Sequence, residues 1–219
     1  MKKITVITGH YGTGKTNFSV NLALNAARNG EKITVVDLDL VNPYFRTADF
    51  RELFAENSIE LVAPDFANSN LDVPSVQFDL GYLAGQDRKL IIDVGGDDAG
   101  AFALGRFSDV LNSYGTELDM LYIINQRRNL TENSGDAAAL MYEIETASRM
   151  KHTAIVNNTN LGCETTADII MQSVGFAKEV SDKTGLPVAC TTCREELCEL
   201  LDIPDVFPVK VYVKPLWEL

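Results

Sequence analysis

Cysteine and tryptophan are scarce in this chain, at four and one in 219 residues. So few cysteines exclude a disulfide scaffold. Apolar runs of membrane length are missing as well: none approaches the roughly 20 residues that cross a bilayer. The start, Met1-Lys2-Lys3-Ile4, has the charged-then-apolar look of a secretion signal, but its apolar stretch breaks at Gly9-His10 and reads instead as a strand. Basic residues are outnumbered, 19 against 31 acidic, for a net charge of −12. That excess argues against a general nucleic-acid face, which needs a basic patch, and against docking on an anionic membrane. The expected compartment is the cytoplasm. No repeat, low-complexity tract or linker interrupts the sequence, so residues 1–219 read as a single domain.

What is present is a phosphate-binding pattern. Gly9-His10-Tyr11-Gly12-Thr13-Gly14-Lys15-Thr16 fits G-x-x-x-x-G-K-S/T at every fixed position. Ile4–Thr8 before it reads as a short buried strand. Asn17 to Arg28 after it reads as a helix, stopped by Gly30. Glycines let the loop turn its backbone N–H groups into one concavity, and the helix N-terminus adds partial positive charge. The expected nucleotide-binding set is therefore Gly9, His10, Tyr11, Gly12, Thr13, Gly14, Lys15, Thr16 and Asn17. Lys15 is expected to reach the β- and γ-phosphates, and Thr16 to offer its hydroxyl to Mg²⁺. The plainer alternative is a glycine-rich turn without a ligand.

Further strands are expected at Ile33–Asp37, Leu90–Val94, Met120–Ile124, Ala154–Asn157 and Pro187–Ala189, with an edge strand within Phe207–Val213. Continuous apolar runs of this length suit a parallel sheet buried on both faces. Helices are expected at Arg46–Glu56, Glu132–Met150 and Thr165–Thr184. The stretch Pro64–Asp87, punctuated by Asn68-Ser69-Asn70, Gly81 and Gly85, reads as loops with a short helix. Alternating strands and helices give a three-layer α/β fold, a mostly parallel sheet with helices on both faces.

A phosphate site also needs an acidic residue at a strand end to hold Mg²⁺, directly or through water. Asp93 closes the run Leu90-Ile91-Ile92 and leads into Gly95-Gly96-Asp97-Asp98, a glycine pair that suits a mobile loop. Asp37-Leu38-Asp39 ends the preceding strand with two aspartates on one side. One is expected to orient the attacking water or serve the metal shell. For Asp37, capping of the next segment is an equal alternative.

Three segments together resemble a known family. GHYGTGKT after the first strand, DLDLVNP after the second and IIDVGGDD after a later one look like the MinD/ParA-type P-loop ATPases, the class with a deviant Walker A motif that also includes nitrogenase iron protein. The segments VDLDLVNPYFR and IDVGGDDAGAFALGRFSD further resemble a group of bacterial and archaeal ATP-binding proteins. The resemblance implies ATP and Mg²⁺ as ligands. It makes Lys15 and Asp39 catalytic, with Asp39 as the water-positioning aspartate. It gives Thr16, Asp39 and Asp93 to the metal, with Asp93 in the Walker B position and Gly96 in the second switch. Asn157 matches the asparagine that reads adenine. An ATP-dependent homodimer and an unidentified protein partner are also implied. One feature departs from the pattern. The family's second lysine, which crosses to the partner's nucleotide, is replaced by His10, which is shorter and only partly charged at neutral pH, and Tyr11 stands where a glycine is usual. The ending Pro215-Leu216-Trp217-Glu218-Leu219 does not resemble the basic amphipathic membrane helix of some members.

The expected function is a Mg-ATP-dependent conformational switch that hydrolyses its nucleotide. The alternative is a small-molecule kinase or ATP-dependent ligase with an acceptor pocket lined by Arg46, Arg127 or Arg128. A GTPase is disfavoured, because Asn157-Asn158-Thr159-Asn160 lacks the aspartate of the guanine-reading N-K-x-D motif. A non-catalytic nucleotide sensor is a further alternative. Cys190-Thr191-Thr192-Cys193 with Cys198 has a metal-like start, set against ordinary reduced thiols. Arg127-Arg128 and Arg106 read as phosphate or partner contacts, or as solvated turns. His152 is read as structural or exposed.

Overall fold

The computed structural model describes residues 1–39, 47–63 and 78–213. Its elements in chain order are β1 (Ile4–Thr8), α1 (Lys15–Arg28), β2 (Ile33–Leu38), a 3₁₀ turn (Thr47–Phe50) running into α2 (Arg51–Glu56), β3 (Glu60–Val62), α3 (Leu80–Gly85), β4 (Lys89–Val94), α4 (Asp98–Gly105), α5 (Ser108–Asn112), β5 (Leu118–Ile124), α6 (Ser134–Ser148), β6 (Ala154–Asn157), α7 (Ala167–Thr184), β7 (Val188–Arg194) and β8 (Val206–Val209).

The eight strands form one sheet in the order β3-β2-β4-β1-β5-β6-β7-β8. Every pairing is parallel. Helices cover both faces. Against one face, Phe18, Val20 and Leu24 of α1 pack with Ile7, Val35 and Ile91 and with Phe54 of α2. Against the other, Ile4, Val6, Leu90 and Ile92 meet Leu80, Leu104 and Leu111 of α3, α4 and α5. Tyr122, Ile155, Met141 and Phe176 close a third cluster under α6 and α7. The one-in, one-out alternation of Val6 and Ile7, and of Ile91 and Ile92, divides each strand between the two layers.

β1 lies between β4 and β5, where the chain, having moved to one side, turns to the other. The loops leaving the carboxyl ends of β1, β4 and β5 therefore gather at the switch point where open α/β sheets bind ligands.

Most expected elements appear within a few residues of their read bounds, and two do not. β7 runs on to Arg194, because Thr191, Thr192 and Cys193 are buried between β6 and β8 despite their polar composition. Asp98–Gly105, where the sequence reading places no helix, is a helix whose N-cap Asp97 accepts from Gly100 N at 2.9 Å. Arg46, Asn68-Ser69-Asn70 and Pro215–Leu219 lie outside the described residues, as does the segment between Asp39 and Thr47.

Candidate functional site: a phosphate cradle at the carboxyl edge

Gly9, Gly12 and Gly14 have φ of +145°, +76° and +87°, values a side chain rarely tolerates. A Cβ at Gly9 would also stand 2.5 Å from the Ile123 carbonyl, so neighbouring β5 holds the loop's first turn. Three donors then converge on the His10 carbonyl: Thr13 N at 3.3 Å, Thr13 Oγ1 at 2.8 Å and Lys15 Nζ at 3.0 Å. Gly14 occupies the N-cap of α1, no side chain caps that helix and no acidic residue enters its first turn. Its first N–H groups are therefore directed to the concavity of the loop, an anion site in the making.

Lys15 is buried. Burial lowers its pKa, while the charges of Asp93, Asp39 and Asp97 act in the opposite sense. Asp93 faces it from the end of β4. Its carboxylate accepts from Thr16 Oγ1 at 2.9 Å and from Ser19 Oγ at 3.0 Å. Burial and the adjacent Asp37 raise the Asp93 carboxyl to about 7, against Lys15 and the two hydroxyl donors. Thr16 and Asp93 thus present hard oxygens side by side, a donor set that fits Mg²⁺, which takes one or two protein ligands and leaves the rest to water and phosphate. Among the described residues no group of three or more His, Cys, Asp or Glu side chains is arranged to hold a metal. Cys190, Cys193 and Cys198 are free thiols.

Asp39 comes in from β2. A Cβ at Gly95 would lie 3.2 Å from its Oδ1, so Asp39 packs over the glycine pair that follows β4. Gly96 presses into the cradle itself: a Cβ there would lie 2.5 Å from Lys15 Nζ and 2.7 Å from both Tyr11 N and Cα. A Cβ on Gly100 would meet Gly95 O at 2.5 Å. Only glycine permits the approaches at Gly96 and Gly100. Asp37 is fully buried, and its two oxygens accept from Asp39 N at 3.0 Å and Ala48 N at 3.1 Å. Of the two roles left open for it, the structure displays the cap: it ties together both ends of the segment between residues 39 and 48.

Three residues of the expected set bond their side chains within the protein. The Asn157 side chain is turned inward: Nδ2 donates to Ser173 Oγ at 2.8 Å, and Oδ1 accepts from Thr159 Oγ1 at 2.8 Å. Asn158, one residue on, reaches the loop instead. Its Nδ2 donates to Thr13 O at 2.6 Å, its Oδ1 accepts from Thr192 Oγ1 at 2.5 Å, and a Cβ at Gly14 would collide with it. Asn17 likewise spends its side chain away from the loop. It donates to Lys210 O at 3.1 Å and accepts from Tyr212 N at 2.8 Å, strapping the chain after β8 onto α1. His10 Nδ1 lies 3.0 Å from Tyr11 O and so is bonded within its own loop.

Sequence reading missed the support beneath the loop. His152, buried rather than exposed, places Nε2 2.7 Å from Thr8 Oγ1 and Nδ1 3.3 Å from Glu145 Oε1. Thr8 is the last residue before the glycine loop. Burial alone would raise the Glu145 carboxyl, but hydrogen bonds from the His152 ring, Lys151 and His152 N hold it at about 2. Nothing in the order of these residues signals a triad drawn from β1, α6 and the turn before β6.

Comparison with known proteins agrees with this geometry. Residues 4–170 match the CobQ/CobB/MinD/ParA nucleotide-binding domain, CbiA. No curated protein matches the chain. Among solved structures, FtsY from Mycoplasma mycoides superposes with TM-score 0.61 at 19% identity, over 88% of this chain and 60% of that one. The cell division protein FtsY from Thermotoga maritima gives 0.62 at 16%, over 89% and 63%. The signal recognition particle 54 kDa protein from Aeropyrum pernix, solved with GDP, gives 0.55 at 17%, over 87% and 41%. The chain thus spans about three fifths or less of the length of these structures, and at such identities the likeness is one of fold. No described helix is long and apolar enough to cross a membrane. A phosphate loop at the switch point of an all-parallel sheet, and a family match over three quarters of the sequence, make this chain a member of the CobQ/CobB/MinD/ParA family of P-loop nucleotide-binding domains.

Proposed function

We propose that the domain is a Mg-ATP-dependent switch that hydrolyses its nucleotide and reports its state through the segment Gly95–Gly105. The observation that carries this reading is the packing of Gly96 against both Lys15 and the Tyr11 backbone. A group entering the cradle meets Gly96 directly. Asp97, its neighbour, caps α4, and α4 packs on α6. A shift at Gly96 therefore has a rigid element to move. Behind the segment a cavity of about 30 Å³, bounded by Thr8, Gly9, Ala101 and Ile144 among others, leaves space for such a shift. Switch segments in phosphate-loop proteins respond to the γ-phosphate in this manner.

In this reading Lys15 and the N–H groups of residues 12–16 bind the phosphates. Thr16 and Asp93 hold Mg²⁺, which when bound neutralises charge on the phosphate oxygens. Asp39, packed over Gly95, orients the attacking water. The preference for adenine rests on the segment Asn157-Asn158-Thr159-Asn160, which carries no carboxylate to take the guanine N1–H and amine. Asn157, the residue that the resemblance gives to the base, and Asn158 beside it stand at the carboxyl end of β6, where we place the base. Tyr11 of the loop, Phe102 of α4 and Leu130 of the turn after β5 are exposed apolar side chains, which we assign to contact with a partner or second copy.

Amide hydrogen exchange tests the switch. With a non-hydrolysable ATP analogue, residues 95–105 should exchange differently than with ADP. Identical exchange in the two states would contradict it.

A further inference from the structure

The cradle holds one buried lysine, and the second cation of the family pattern is absent from its usual position. His10 occupies that position and is bonded to Tyr11 O within its own loop. We infer that Arg128 supplies the missing charge from within the same chain, facing the terminal phosphate and the oxygen that bridges it to the β-phosphate. The inference rests on the nucleotide reading above.

Arg128 follows β5, whose residues Leu118 to Tyr122 pair with β1. The turn that carries it is tightly built. Arg128 N donates to Asn125 O at 3.2 Å, and Arg127 N donates to Asn125 Oδ1 at 2.9 Å. Thr131, fully buried, sends its hydroxyl to Asn125 O at 2.8 Å and to Arg128 O at 3.1 Å. Leu130 takes the left-handed conformation, φ +66°, to close it. With its backbone fixed in this way, the Arg128 side chain runs across the phosphate loop at Gly12. A Cβ at Gly12 would lie 3.6 Å from Nε and 3.7 Å from both Cδ and Cζ. The guanidinium therefore lies beside the loop, where a side chain at position 12 would touch it, 116 residues away in sequence. Among the described residues no ion pair includes Arg128, although the protein carries a net charge of −12. An exposed guanidinium beside the phosphate loop, without an ion-pair partner, is suited to a planar, multi-oxygen anion.

The chemistry gives the charge a use. In hydrolysis the water oxygen forms a bond to the γ-phosphorus, and the bond from that phosphorus to the bridging oxygen breaks. The electron pair stays on the diphosphate, and the water proton leaves with inorganic phosphate or to solvent. Negative charge accumulates on the bridging oxygen and on the γ-oxygens. An arginine placed there, whether from the same chain or another, contributes on the order of 10³–10⁵ in rate. Supplied in cis, it makes turnover independent of a second molecule.

The test compares wild type, Arg128→Ala and Arg128→Lys in Mg-ATP turnover, in ADP affinity and in the tightening of ADP by fluoroaluminate, a mimic of the transferring phosphoryl group. Arg128→Ala should lose about 10³-fold in kcat, keep its ADP affinity within about twofold and lose the fluoroaluminate effect. Arg128→Lys should fall between the two, because it restores charge but not the fork. Turnover per wild-type molecule should not change on about 100-fold dilution, as a unimolecular step requires. A kcat for Arg128→Ala within about threefold of wild type would overturn the inference. So would a loss of ADP affinity equal to the loss of kcat, which indicates a structural role, or a wild-type rate that rises with protein concentration. A wild type that binds no nucleotide fails at the earlier step and overturns the proposed function, and the inference with it.

Discussion

The Thr16 hydroxyl donates to Asp93 Oδ2 at 2.9 Å, joining the first turn of α1 to the end of β4 at a buried carboxyl group. That group, raised from 3.8 to about 7 by burial and by Asp37, holds its proton more tightly in the folded protein than in the unfolded chain. Its contribution to stability therefore falls as pH rises from about 4 to about 7 and is level above that. Asp93→Asn should remove this fall. Without nucleotide or metal, the variant should gain roughly 2–3 kcal/mol over wild type between pH 5 and pH 8. Urea unfolding at both pH values measures it, and parallel profiles for the two proteins would contradict it.

Asp39 is packed over Gly95 and assigned to the attacking water. Asp39→Ala should bind Mg-ATP with near wild-type affinity and lose turnover by at least about 10²-fold, since a water-orienting carboxylate acts on the attack step more than on binding. A phosphate-release assay at saturating ATP decides it. Turnover at the wild-type rate would remove Asp39 from the mechanism.

At Gly96 a methyl group has no room, because the Tyr11 backbone stands 2.7 Å from where it would lie. The Lys15 tip can swing aside, but the loop backbone cannot. Gly96→Ala is expected to leave far-UV circular dichroism unchanged and to weaken ATP binding by about tenfold or more, as a cradle distorted by about 1.4 kcal/mol or more requires. Unaltered affinity would show that the two loops are not coupled.

The Glu145–His152–Thr8 chain supports the loop from below. Burial lowers the His152 pKa, with Glu145 acting in the opposite sense. The ring is therefore more reluctant to take a proton folded than unfolded, and its contribution to stability is lost as pH falls below about 6.5. His152→Leu should cost about 2 kcal/mol at neutral pH by leaving Thr8 and Glu145 short of a partner. It should also flatten the loss between pH 7 and pH 5. Thermal unfolding across that range checks both. An unchanged slope would take His152 out of the acid response.

The sheet was legible in the sequence because its strands are buried on both faces and so read as continuous apolar runs. β1 and β6 fall at their read bounds, Ile4–Thr8 and Ala154–Asn157. β3 was not legible: three residues, one of them charged, carry no period, and pairing with β2 alone marks them as a strand. The glycine loop, Asp93 and Gly96 could be located because each sits beside a strand end. The different contacts of Asn157 and Asn158 were not legible, since they lie with partners on α7 and β7, Ser173 and Thr192. The same holds for Arg128, which meets Gly12 only because β5 lies beside β1.

Lys15 and its loop are assigned to a triphosphate, with adenine preferred. Calorimetric titration of wild type and Lys15→Ala with Mg-ATP and Mg-GTP tests this assignment most directly. The account predicts one site per chain on the wild type, tighter for Mg-ATP than for Mg-GTP, and no measurable heat of binding for Lys15→Ala. Absence of binding to the wild type, undiminished binding to Lys15→Ala, or equal or tighter binding of Mg-GTP would contradict it.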